Sequence, residues 1–166
     1  MDNISVHISY AEATKSQSAE RLGIKNIPTV QQLGNMMFVA EGLFEPLRNW
    51  WGKPIGISSF FRSLELNHTI GGSSTSQHCL GLAVDIDADI FNNGLTNKMI
   101  FDFFNNRKEV MQYDQLIWEF GDDHNPAWVH ISKMPDNKKN RVMNLKAVRE
   151  NGKTVYLHQS ELFDVV

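Results

Sequence analysis

Two apolar periods divide this chain, and together they restrict it to few folds. Between residues 30 and 47, Val30, Leu33, Met37, Ala40, Leu43 and Leu47 recur at steps of three and four, the spacing that gathers side chains on one face of a helix. Past residue 55 the apolar runs shorten and several alternate. Leu82, Val84 and Ile86 fall on one side of a strand, with Ala83, Asp85 and Asp87 on the other. Helices followed by strands in hairpins must bury a helical stripe against one sheet face. The pattern predicts an α+β domain with N-terminal helices packed on a mostly antiparallel sheet.

Local signals set the expected boundaries. Ser9 and Glu12 form a capping-box pair and Gly23 a stop, which predicts a first helix over residues 9–23. Thr29 and Gln32 cap the second helix, Pro46 can kink it and Gly52 ends it. A short strand is expected over 55–60, a helix over 62–69, a polar loop over 71–77 and a Phe-rich helix over 95–105. Gln115–Glu119 and Ala127–Ser132 flank a polar turn and read as a hairpin. A second hairpin, within 139–158, turns at Asn151-Gly152. A length of 166 residues suits one domain over 1–166, with its core at 5–135.

Composition narrows the chemistry. A formal charge of -3 gives no global attraction to nucleic acid or to an anionic membrane. No apolar run is long enough to span a bilayer, and no basic start precedes an apolar segment. The expectation is synthesis in the cytoplasm without a signal peptide. The single cysteine, Cys79, excludes an intrachain disulfide and reads as a small buried residue. Any transition metal must therefore be held by the six histidines and the carboxylates.

Three polar residues occupy positions where the pattern expects burial: His78, Asp85 and His130. Buried imidazoles and carboxylates must be paired, hydrogen-bonded or metal-bound. Two imidazoles and a carboxylate are usual ligand types of a catalytic zinc site. Each residue alone also fits a plainer role, as a satisfied core histidine or a salt-bridged strand aspartate. His7, His68 and His158 have no partner spacing and read as surface residues. Lys138, Lys139 and Arg141 read as a solvated basic loop.

The wider string decides between these readings. Residues 56–87 contain Ser58-x-x-x-Arg62, Leu66-Asn67, Gly71-Gly72, Ser76-x-His78 and Gly81-x-Ala83-x-Asp85, and the second half adds QLIWEF and PAWVHIS. This arrangement resembles the zinc D-Ala-D-Ala carboxypeptidase family, peptidase family M-15, which is related to the hedgehog signalling domain. The likeness covers roughly residues 5–135. It implies a hedgehog/D-Ala-D-Ala-peptidase-like fold, with one zinc ion held by His78, Asp85 and His130. It implies that Arg62 holds an oxyanion or a substrate carboxylate, that Ser76 meets substrate and that Trp128 walls the site. Asp87 is a candidate to orient a ligand histidine.

Many members carry a general-base Glu three residues before the last His ligand, and here that position is Ala127. Glu119 is the expected replacement. It lies directly opposite His130 if the hairpin turn centres on His124-Asn125. Asp123 and His124 are the fallback bases.

The implied activity is that of a zinc metallopeptidase, a hydrolase of peptidoglycan stem peptides or similar D-amino-acid-containing peptides. It would act as a monomeric carboxypeptidase or as an endolysin-type endopeptidase. In the manner of a phage lysin, it would reach the bacterial cell wall after release. Two alternatives belong beside it: a catalytically silent cell-wall or peptide-binding module of the same fold, and a zinc hydrolase of free D,D-dipeptides.

Overall fold

The computed structural model describes residues 2–136 and 139–158, so Lys138 of the basic run lies outside the described residues. The segment expected as one helix forms two, α1 (Tyr10–Thr14) and α2 (Gln17–Leu22). Lys15 turns extended and the Ser16 hydroxyl accepts from the Ala19 N–H, so a second cap restarts the helix. Gly23 closes it in the left-handed conformation, as expected.

The Thr29–Gln32 capping box forms and opens α3 (Val30–Val39). A wider π turn over Ala40–Phe44 leads into α4 (Glu45–Trp51), which ends at Gly52. Pro46, which has no N–H to donate, falls in the first turn of α4. The buried stripe is Met36, Val39, Ala40, Leu43, Phe44 and Leu47, whereas Val30 and Met37 are exposed. The start of α3 is anchored by polar groups instead: Gln32 donates to the Cys79 carbonyl and Asn35 to that of Leu80. The N-terminal segment is tied down by Glu45, which accepts from Ser5 and pairs with His7 at 2.6 Å. His7 is therefore a partnered residue and not a free surface histidine.

Six strands follow: β1 (Gly56–Ser59), β2 (Ala83–Asp87), β3 (Gln115–Glu119), β4 (Trp128–Ser132), β5 (Met143–Glu150) and β6 (Lys153–His158). They form one sheet in the order β1-β2-β4-β3-β5-β6. All pairs are antiparallel except β3 with β5. The exception follows from connectivity. Strand β4 already pairs with β2 and β3, and its end stands beside the start of β3, so β5 adds to the free edge of β3 in the same direction. Between the strands lie α5 (Leu64–Thr69), α6 (Asn97–Asn105) and α7 (Lys108–Met111). Asn151 and Gly152 both have positive φ, the backbone of the tight turn their sequence predicts.

The sheet has two unlike faces. Val84, Ile86, Leu116, Trp118, Val129 and Ile131 join the helical stripe in the main core. The other face holds a smaller cluster of Ile117, Leu145 and Ala147. Gly81 sets the approach to this sheet. Its φ is +71°, and a Cβ there would lie 2.6 Å from the Gln32 carbonyl oxygen. Only glycine lets the chain turn into β2 while α3 presses against it.

Candidate metal centre and its surroundings

Three elements bring the polar trio together. His78 sits on a single 3-10 turn, Gln77–Leu80, just before β2. Asp85 lies mid-strand in β2, and His130 is its direct partner across β4. The Nδ1 of His78 donates to the Phe60 carbonyl at 2.7 Å, which aims Nε2 inward. That Nε2 lies 3.2 Å from Asp85 Oδ1 and 3.2 Å from His130 Nδ1. His130 Nδ1 lies 2.9 Å from the same Asp85 oxygen. All three side chains are buried, and they form a cluster able to hold a metal.

The geometry fits a small tetrahedral ion. Ligands at zinc distances stand about 3.3 Å apart around a tetrahedral centre. The donor chemistry fits as well. Burial lowers the pKa of His78, an effect partly offset by Asp85, so the ring is neutral at physiological pH. With its proton on Nδ1, its Nε2 lone pair faces a carboxylate oxygen. His78 Nε2 and Asp85 Oδ1 are thus buried acceptors turned toward one another, a pair that a cation between them would satisfy.

Arg62 follows β1, with Nη2 3.7 Å from Asp85 Oδ2. Its Nε is buried and has no partner among the described residues. Its backbone N–H donates to the His78 carbonyl, so the arginine and the ligand turn are fixed to each other. Ser76 stands half-buried at the head of that turn, where its hydroxyl meets the Cys79 thiol.

The hairpin register differs from expectation by two residues. Ile117, not Glu119, is opposite His130, and Glu119 pairs with Trp128. The turn centres on Asp123-His124 because Phe120 and Gly121 adopt positive φ and the Asp122 carboxylate accepts from the His124 and Asn125 N–H groups. The shift is even, so Glu119 keeps the face of His130 as its diagonal neighbour, roughly 7–8 Å away between backbones. Burial drives the Glu119 carboxyl up to about 7, with His130 lowering it and Asp85 raising it. Trp128 is half-buried on the same face. Asp123 pairs with Lys146, which lies over the Trp118 ring on the helix-covered side. His124 is exposed on the turn. Asp87 does not reach either histidine: its Oδ1 accepts from Asp89 N–H and Asn97 Nδ2, and so caps the turn after β2.

Sequence reasoning missed Asp114. Its buried carboxylate accepts from Arg141 Nε at 2.8 Å and Nη2 at 2.6 Å, and from Gln77 at 2.9 Å. Arg141 is thus no part of a free basic loop; it ties the C-terminal segment to the residue preceding His78. An acidic residue just before a strand was the only available signal, and it is a weak one. Burial pushes the Asp114 carboxyl up, but Arg141 and Gln77 outweigh it and the net shift is downward. A depressed carboxylate pKa contributes stability above the unfolded value near 3.8 and loses it as pH falls through the folded value. Asp114→Ala should therefore cost about 2 kcal/mol at pH 7, discounted for the exposed arginine. The gap from wild type should narrow as pH falls below 4, which urea denaturation at several pH values will measure.

Three buried groups able to hold a metal, an arginine and a carboxyl poised near neutrality are thus gathered at one place in the fold. In the sequence, residues 6–100 match the family Peptidase M15. The match spans more than half of the chain, and the chain belongs to this family of D-Ala-D-Ala carboxypeptidase-type peptidases. It takes in Arg62, His78 and Asp85 and stops before Glu119 and His130. No curated protein matches the sequence. No helix among the described residues is long and apolar enough to cross a membrane.

Proposed function

We propose that the chain is a zinc-dependent peptidase that cleaves peptidoglycan stem peptides or similar D-amino-acid-containing peptides. The observation that carries the reading is the convergence of His78 Nε2, His130 Nδ1 and Asp85 Oδ1 within 3.2 Å of one another. These three residues would hold the metal. When bound, zinc supplies a Lewis acid that polarises a carbonyl and lowers the pKa of water.

The remaining steps belong to the protein. Glu119 takes the proton of the attacking water and delivers it to the departing amine. A carboxyl with a pKa of about 7 is suited to both transfers at neutral pH. The Arg62 guanidinium, adjacent to Asp85, receives the charge that develops on the carbonyl oxygen or a substrate carboxylate. Trp128 and Ser76 flank the bound chain. His78 is kept in register by Phe60, which fixes its tautomer. The protein acts on the bacterial cell wall as a monomer, with endolysin-type release as its route there.

The test is digestion of purified sacculi followed by mass spectrometry of the products, with and without a zinc chelator. Stem-peptide fragments with new amino and carboxyl ends should appear, and chelation should abolish them. Products that persist unchanged under chelation would remove the metal from the mechanism. Bound zinc with no products from sacculi or free D,D-dipeptide would identify a silent binding module, and cleavage of the dipeptide alone would restrict the substrate.

A further inference from the structure

The face that carries the candidate centre does not end at β3. Pairing aligns Trp128, Glu119, Ala147 and Tyr156 in one row across β4, β3, β5 and β6. Arg149 stands two residues beyond Ala147, on the same face and exposed. Between the two rows lies Phe120. Strict alternation would send its side chain to the helix-covered side, because it follows Glu119. Its φ of 52° instead returns the ring to the site face. There it packs on the cluster of Ile117, Leu145 and Ala147. It also meets the Trp128 ring at 5.3 Å between centroids and receives the Arg149 guanidinium at 4.9 Å. A left-handed backbone at a phenylalanine is costly and persists only where surrounding packing requires it.

We infer that Phe120, Arg149 and Tyr156 form a substrate subsite beside Glu119, which takes an acidic side chain, carrying its own carboxylate, on the residue beside the cleaved bond. This deepens the peptidase reading and rests on it. The occupant follows from charge and continuity. Among the described residues no carboxylate pairs with Arg149, so its fork is open to a ligand. The Phe120 ring attracts the guanidinium and holds it near the sheet. Ala147 is fully buried in the cluster that Phe120 packs against, so a chain crossing from Glu119 toward Tyr156 meets Phe120, Arg149 and Tyr156. Tyr156 is about half exposed, at 51%. Burial raises its pKa and the Glu119 and Asp85 carboxylates raise it further, which places the phenol within electrostatic reach of the centre.

Binding distinguishes this subsite from the catalytic reading. Two D-alanine-terminated pentapeptides that differ only by glutamate or glutamine beside the cleaved bond are titrated calorimetrically into the zinc-loaded full chain. A Glu119→Gln background keeps them intact. The acidic peptide should bind more tightly. Arg149→Ala should weaken that peptide about tenfold, leave the glutamine peptide unchanged and leave zinc content unchanged. Tyr156→Ala should weaken both peptides. Equal affinity of the two peptides for the unmodified surface, or an equal loss of both in Arg149→Ala, would overturn the assignment. Discrimination between the peptides without any turnover by the wild-type chain would instead defeat the peptidase reading and keep the subsite.

Discussion

Glu119→Gln is expected to leave metal content and folding intact while lowering peptide turnover by roughly 10²–10⁴-fold, the range that general acid–base groups contribute. The expectation rests on position and environment together. Glu119 shares the sheet face of His130, one diagonal step away. Its surroundings drive the carboxyl up to about 7, where it exchanges protons readily near neutral pH. Glutamine keeps the shape and removes the exchange. Steady-state kinetics on a defined peptide, with metal content measured on the same sample, checks this. Turnover within a few-fold of wild type would transfer the base role to the turn, where His124 is the exposed candidate.

Metal removal should be visible without any substrate. The folded chain offers three converging buried donors and the unfolded chain offers none in that geometry, so bound metal stabilises the fold. At free metal a thousandfold above Kd the gain is about 4 kcal/mol. For a chain of this size that corresponds to a rise in Tm of roughly 10 °C. Wild type should show that rise on adding zinc in a thermal scan, and chelation should reverse it. His130→Ala should lose the response, because only His78 and Asp85 remain to hold the ion. A zinc response that survives in His130→Ala would show that the ion binds elsewhere.

The parts of this molecule that were legible in the sequence are those set by local chemistry. The Thr29–Gln32 box, the Gly23 and Gly52 stops and the Asn151-Gly152 turn each act within a few residues, and each forms as expected. The trio of His78, Asp85 and His130 stood out because each is polar where the pattern expects burial, and the fold brings them together. What stayed hidden depends on partners distant in sequence. The break at Lys15 turned on whether Ser16 would serve as a cap, which several neighbouring serines and threonines could equally have suggested. The hairpin register depended on positive φ at Phe120, a residue that rarely adopts it. The parallel pairing of β3 with β5 followed from which sheet edge was free. Asp114, Arg149 and Tyr156 gain their surroundings only when the C-terminal hairpin is in place.

The chain of contacts from Arg141 through Asp114 and Gln77 to the turn bearing His78 also orders events during folding. Its members are far apart along the chain, and closing such long loops is slow compared with forming helices. Asp85 and His130 meet only when β2 and β4 pair, and the clamp on the His78 turn closes only once residue 141 has reached β3. A growing chain can thus build its N-terminal helices well before it can capture an ion in this geometry. A nascent or nicked chain that lacks the C-terminal segment would keep all three donors but carry the His78 turn without the Arg141–Asp114 clamp behind it.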